Sequence, residues 1–230
     1  GTENYIAFPP KGFSLQWFIT VFKSESFIKS MGTSFLISTV STLSALVIGM
    51  PAAYGLSRYN FKGKDILKSF FFSPLIVPGI VVGFSLFQFL LVKMNLSVYA
   101  SLFIGHTLII IPYIIRVVGS SLEGFDYSIE EAAMSLGCKK SQTFFKVVLP
   151  NITSGVMAAF MLAFINSFNN VPVSIFLTGP GVSTLPTTMM NYVEYNYDPT
   201  VSALSVILMI LTIGIMYILE KTLGLNNFAG

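Results

Sequence analysis

Apolar residues run along this chain in long stretches separated by short clusters of charge. Residues 30–57, 69–92, 94–115 and 199–219 contain no charged side chain. A helix needs about 20 apolar residues to cross a bilayer core roughly 30 Å thick, so each of these runs is long enough for one crossing. A fifth uncharged run, 147–193, is longer, but its second half reads as a loop. There Thr178-Gly179-Pro180-Gly181 and Leu185-Pro186-Thr187-Thr188 are expected to break a helix. The pattern predicts an all-α integral membrane protein, one domain over residues 1–230. Its five spans fall near 34–56, 69–92, 97–118, 153–176 and 201–220, and a loop covers 119–150.

The basic residues set an orientation. Arg58, Lys62, Lys64 and Lys68 follow the first span; Arg116, Lys139, Lys140 and Lys146 follow the third. Only Lys93 follows the second, and no Lys or Arg follows the fourth. Positive residues in short loops stay cytoplasmic. Residues 57–68 and 119–150 are therefore expected inside, and 1–30, 93–97 and 177–200 outside, with the C-terminus and Lys221 inside. Five crossings connect an outer N-terminus to an inner C-terminus, so span count and charge agree. In residues 1–30, Trp17, Phe18, Val21, Phe22 and Phe27 alternate with Lys23, Glu25 and Lys29. That pattern suits either a helix lying at the outer interface or an ordinary lead-in to the first span.

Composition supports a lipid environment. Hydrophobic residues are 53% of the chain and charged residues 10%, where soluble domains carry about 25%. A net charge of +3 does not suggest nucleic-acid binding. One cysteine, Cys138, excludes an internal disulfide and a paired-cysteine metal site, and one histidine, His106, far from it in sequence argues against a Cys-His catalytic pair. No nucleophile-base or metal constellation shares a membrane depth, so no catalytic residues or metal ligands are assigned. The chain opens at Gly1 with no initiator Met, which reads as part of a longer protein.

The loop between the third and fourth spans carries a helix signal. Ser128 is the expected N-cap, with Glu131 three residues on completing a capping box. Glu130 and Glu131 suit the positive end of the helix dipole. Gly137 is expected to stop the helix after two turns, with Lys139 and Lys140 beyond it. So short a helix is unstable alone in water. Ala132, Ala133, Met134 and Leu136 must be buried, either in a self-contained hairpin under the span ends or against another protein.

Glu131-Ala132-Ala133, three residues, Gly137, nine residues, Val147, one residue and Leu149-Pro150 resemble the EAA motif. This motif marks permease subunits of bacterial binding-protein-dependent ABC importers of type I. Val147 stands where the usual motif has Ile. The resemblance implies that residues 129–137 form a coupling helix seated in a cleft of an ATPase subunit. Closure of two such ATPases on ATP and Mg²⁺, which they and not this chain would bind, then rocks the spans. It also implies that Glu130, Glu131, Ala132, Ala133, Met134, Leu136 and Gly137 make this coupling, with Glu131 paired to a basic group on the ATPase. Ala132 and Ala133 would allow close approach, and Gly137 a sharp turn. Bulk at Ala133 or Gly137 should then uncouple transport by clash. Cys138 beside them reads as structural.

The likeness extends along nearly the whole chain. Gly49-Met50-Pro51-Ala52-Ala53-Tyr54-Gly55-Leu56-Ser57-Arg58 resembles the end of a permease core span, and Pro74, Pro78 and Gly79 recur as in the family. The implied fold is the five-helix type I core, which the family usually precedes with one more helix. The implied partners are two ABC ATPases, a second permease and an extracytoplasmic solute-binding protein, in the bacterial inner membrane.

The segment 168–181, Thr184-Leu185-Pro186 and Asp198-Pro199 resemble the spermidine/putrescine subgroup, specifically its second permease. Polyamine import is the leading expectation. Iron(III), phosphonate, thiamine and sugar importers share much of the pattern. Apart from Glu220, the last residue of the fifth, no span contains Asp or Glu to meet a polycation. The outer acids are Glu3, Glu25, Glu194 and Asp198, with Tyr192, Tyr195 and Tyr197 near the last two. Selectivity then lies in the external binding protein, or the solute is not cationic. Candidate passage-lining residues are Ser85, Gln88, His106, Asn166, Ser167, Asn169 and Asn170, and each has helix-to-helix hydrogen bonding as its alternative role. Asn166, Asn169 and Asn170 at i, i+3 and i+4 would share one helix face. Gly79 and Gly83 are expected at a close helix contact. The loop 177–200 is expected to meet the binding protein or to act as a connector. A secondary transporter without an ATPase is the competing class, but the spans lack the acids such proteins use.

Overall fold

The computed structural model describes residues 12, 14–196 and 198–222. Glu3, Tyr197 and most of the first thirteen residues lie outside that set. The helices are α1 (Gln16–Lys23), α2 (Glu25–Arg58), α3 (Lys64–Ile76), α4 (Gly79–Lys93), α5 (Val98–Glu123), α6 (Tyr127–Ser135), α7 (Lys140–Asn151), α8 (Thr153–Phe168), α9 (Ser174–Leu177), α10 (Leu185–Tyr195) and α11 (Thr200–Thr222). Among the described residues α2 and α5 are each long and apolar enough to cross a membrane, and two bent pairs qualify if each counts as one path.

α2, α5 and α8 form the centre of the molecule. Along α2 the buried positions from Ser34 to Ala53 are small (Ser34, Ser38, Ser41, Thr42, Ala45, Gly49 and Ala53) except for Ile37. With lipid on the alternative side, apolar area gives helices little reason to associate, and close backbone approach through small residues takes over. Gly49 lies against Ile114 of α5, and Gly155 of α8 lies against Ser121 of α5. A cluster of Ala45, Ala53, Leu56, Ile110, Ile114, Val118, Leu122, Val148 and Ala159 fills one end of this bundle. A second cluster joins Val21, Phe27, Phe164, Phe168, Leu185 and Leu204 at the other end.

Several boundaries differ from the sequence reading. The expected span 69–92 is two helices, α3 and α4, bent by 98°. The cause is Pro78, which lacks an N–H and holds Val77 extended (φ −74°, ψ 134°). The expected span 153–176 stops at Phe168, where Asn169 caps α8 and a turn leads to α9. α5 runs on to Glu123, so the loop expected from 119 begins later. Leu185-Pro186 starts a helix instead of breaking one, because proline in a first turn loses no intrahelical bond. Leu185 N–H donates to Ser34 Oγ at 2.7 Å, which ties α10 to α2. At the N-terminal end, Trp17, Phe18 and Val21 pack into the second cluster while Phe22 is exposed.

Gly79 and Gly83 do mark a close contact, and it lies within the chain, against Pro172 and Phe176. His106 of α5 is 1% exposed. Its Nδ1 pairs with Ser167 Oγ at 2.8 Å and its Nε2 with Ser174 Oγ at 3.0 Å. One side chain thus joins α5, α8 and α9. His106→Ala is expected to lower unfolding stability in detergent by about 1–3 kcal/mol, because buried serine hydroxyls lose a partner. Thermal unfolding of the purified variant checks this, and an unchanged midpoint would contradict the assignment.

Candidate functional site

The site is built on α6. Asp126 caps it, its carboxylate accepting from Ser128 N–H at 2.9 Å. That backbone donor holds the Asp126 carboxyl below the usual carboxylate range. The expected Ser128–Glu131 capping box does not form, because the helix begins at Tyr127 and places Ser128 inside it. The other end is a Schellman stop: Gly137 N–H donates to Met134 O at 2.9 Å and Cys138 N–H to Ala133 O at 3.2 Å. Gly137 has φ +94°, and a Cβ there would meet nothing inside the chain. The intramolecular reason for glycine is therefore backbone strain rather than a clash.

At 100° per residue, two faces emerge. Tyr127, Glu130 and Met134 share the side turned to the protein, with Glu130 only 2% exposed. Ile129, Ala132, Ala133 and Leu136 share the opposite side, where Ile129 is 47% and Leu136 88% exposed. Of the expected coupling set, Glu130 lies buried on the inward side with Met134 half-buried beside it, which leaves Ala132, Ala133 and Leu136 on the outward side. Ile129, absent from the expected coupling set, belongs to that outward side. Its spacing from Ala132 and Leu136 (i, i+3, i+7) was the available signal.

Glu130 is held by the last turn of α2. Tyr54 Oη donates to its Oε1. Arg58 Nε lies 3.2 Å from its Oε2, an ion pair without an aligned hydrogen bond. Arg58 Nη2 reaches Glu131 Oε1 at 2.8 Å, and the guanidinium lies 4.9 Å from the centre of the Tyr127 ring. Tyr127 Oη donates to Ser57 Oγ at 2.9 Å. Glu131, expected to pair outside the chain, has this partner within it, although its side chain remains 61% exposed.

The chain matches the family described as "Binding-protein-dependent transport system inner membrane component" over residues 45–224. The chain belongs to this family. It is a multi-pass inner-membrane permease subunit of an ABC transporter, a transport component whose ATPase is a separate subunit. The permease is 31% identical to the spermidine/putrescine transport system permease protein PotC of Escherichia coli (strain K12), covering 96% of this chain and 83% of that one. It is 27% identical to the sulfoquinovosyl glycerol transport system permease protein SmoH of Agrobacterium fabrum (90% and 73%). Its fold resembles the MetNI methionine ABC transporter in an inward-facing form (TM-score 0.70, 21% identity, 87% and 97% coverage). It also resembles an alginate-importing ABC transporter (TM-score 0.70, 17% identity, 93% and 80%).

The candidate passage residues of the permease do not converge. Ser85 and Gln88 of α4 are exposed, and Gln88 lies in a π-helical stretch, Phe87–Lys93. Asn166 donates to Leu162 O at 2.8 Å within α8. Asn169 is the exposed cap of α8, and Asn170 lies beyond it, accepting from Val173 N–H at 2.9 Å. The expected common face of the three asparagines does not exist, because α8 ends before two of them. His106 and Ser167 are buried partners, each about 1% exposed. Outside the bundle, Asp198 accepts from Tyr192 Oη at 2.7 Å and Thr200 N–H at 2.9 Å, so it already serves the start of α11. Among the described residues no group of three or more His, Cys, Asp or Glu could hold a metal ion.

Proposed function

We propose that the permease imports a polyamine of the spermidine or putrescine class, and that the outward face of α6 seats in a cleft of the ATPase. The solute reading is carried by the PotC relatives, 31% identical in Escherichia coli and 30% in Haemophilus influenzae. A sugar-linked solute is the second reading, supported by the SmoH likeness. The docking reading is carried by Ile129 and Leu136, apolar and exposed on a two-turn helix that cannot stand alone. The assembly would contain two ATPases holding ATP and Mg²⁺, a second permease and an external solute-binding protein, with lipid around the spans and no nucleic acid. The charge pattern supports an outer N-terminal side, with the C-terminus and α6 in the cytoplasm. Ser85, Gln88, Asn166 and Asn169 are the polar groups left to line a passage shared with a second permease. Since the uncharged runs that form the spans offer no carboxylate, selectivity would rest in the binding protein.

Two measurements test this. Uptake into proteoliposomes bearing the full importer is expected for spermidine or putrescine and absent for sulfoquinovosyl glycerol; the reverse outcome would overturn the polyamine reading. Cys138 is the chain's one cysteine and is exposed two residues past Leu136. Maleimide labelling of Cys138 should slow about tenfold or more when the ATPase binds. Equal labelling with and without the ATPase would place docking elsewhere.

A further inference from the structure

The α2 segment ending in Tyr54, Ser57 and Arg58 resembles a family motif, yet docking gives these residues no task. They sit at the far end of α2 from the outer cluster, and every one of them holds α6. Tyr54 and Arg58 hold Glu130, Arg58 also holds Glu131, and Ser57 accepts from Tyr127. α6 also packs against α7, and its flanking turns, Gly124–Asp126 and Leu136–Lys139, join it to α5 and α7. The second turn contains Gly137 in the left-handed region. A buried carboxylate between a guanidinium and a phenol resists removal of either partner, because breaking such a pair leaves a charge poorly compensated.

We propose that Arg58 and Tyr54 are positioning residues that clamp Glu130, so that α6 and the cytoplasmic end of α2 move as one rigid unit when the ATPase pulls. α2 packs along α5 and α8, so the displacement passes directly into the centre of the bundle. The two glutamates then have separate tasks. Glu130 is the fixed attachment. Glu131, sharing one edge of Arg58 and exposed, is free to exchange partners on docking. This inference rests on the docking reading of α6, and the experiment separates the two.

Spin labels are placed on native Cys138 and on Asn60→Cys, beyond α2, in the complete importer in nanodiscs. The distance between them is measured without nucleotide and with ATP trapped. The expected result is one narrow distance that does not change, while Glu130→Gln broadens it and makes it respond to ATP. Glu130→Gln keeps the shape and acceptor of the side chain without its charge. It should leave the ATPase bound and hydrolysing, but move at least fivefold less solute per ATP. A wild-type distance that changes with ATP overturns the clamp, as does a Glu130→Gln importer with wild-type solute per ATP. An importer in which the ATPase never protects Cys138 instead refutes the docking reading.

Discussion

Replacing Leu136 with Asp leaves the permease folded and inserted but removes the ATPase from it. Leu136 is 88% exposed at the C-cap of α6 and touches no core cluster, so the change costs the chain itself within about 0.5 kcal/mol. In the assembly the same position would lie among apolar groups with Ile129 and Ala132. A carboxylate there loses water without gaining a partner, and truncating a central apolar contact already costs about 2 kcal/mol or more. Association should weaken about 100-fold, read as loss of ATPase on copurification and of ATP-dependent uptake, with thermal unfolding unchanged. Wild-type retention of the ATPase would refute the docking face.

The largest effect on the fold is expected from Gly155→Leu. A Cβ at Gly155 would overlap Ser121 Oγ and Cβ, where α8 crosses α5. Serine can rotate its hydroxyl away, but its Cβ moves only with the helix. A leucine must therefore separate α5 from α8, strain the His106 contacts that bridge the same helices, and open the cluster around Val118 and Ala159. Overpacking costs about 1–3 kcal/mol and more when backbones must part, against a total stability of about 5–15 kcal/mol. Loss of membrane-inserted protein, or a fall in detergent unfolding temperature of several degrees, is the expected reading. Gly155→Ala should show a smaller loss, and a leucine variant as stable as the parent would contradict the packing.

Much of the architecture was legible because lipid imposes long uncharged runs, and the EAA spacing located α6 and its glycine stop. The failures have local causes. Position decides what proline does: Pro186, expected to break a helix, starts one, while Pro78, expected inside a straight span, bends it by 98°. Hydropathy alone could not end α8 at Phe168, since apolar residues continue through the following turn. The reading of Asn166, Asn169 and Asn170 as one face assumed a helix that had already stopped. Glu130 was assigned to docking with Glu131 because adjacent carboxylates look alike in sequence. Their difference is set by Tyr54 and Arg58, which arrive from over seventy residues away. Linear spacing does not display such a pairing.

The run of serine, threonine, alanine and glycine along α2 also constrains how this lineage can diverge. Leu36, Val40, Leu43 and Val47 point away from the centre, and many greasy shapes would serve there. At Ser34, Ser38, Ser41, Ala45 and Gly49 drift is confined to the smallest side chains, since these positions are buried and, at Gly49, anything larger forces α5 away. Homologues should therefore vary freely on one flank of this helix and remain nearly monotonous on the other, however far their cargoes have parted.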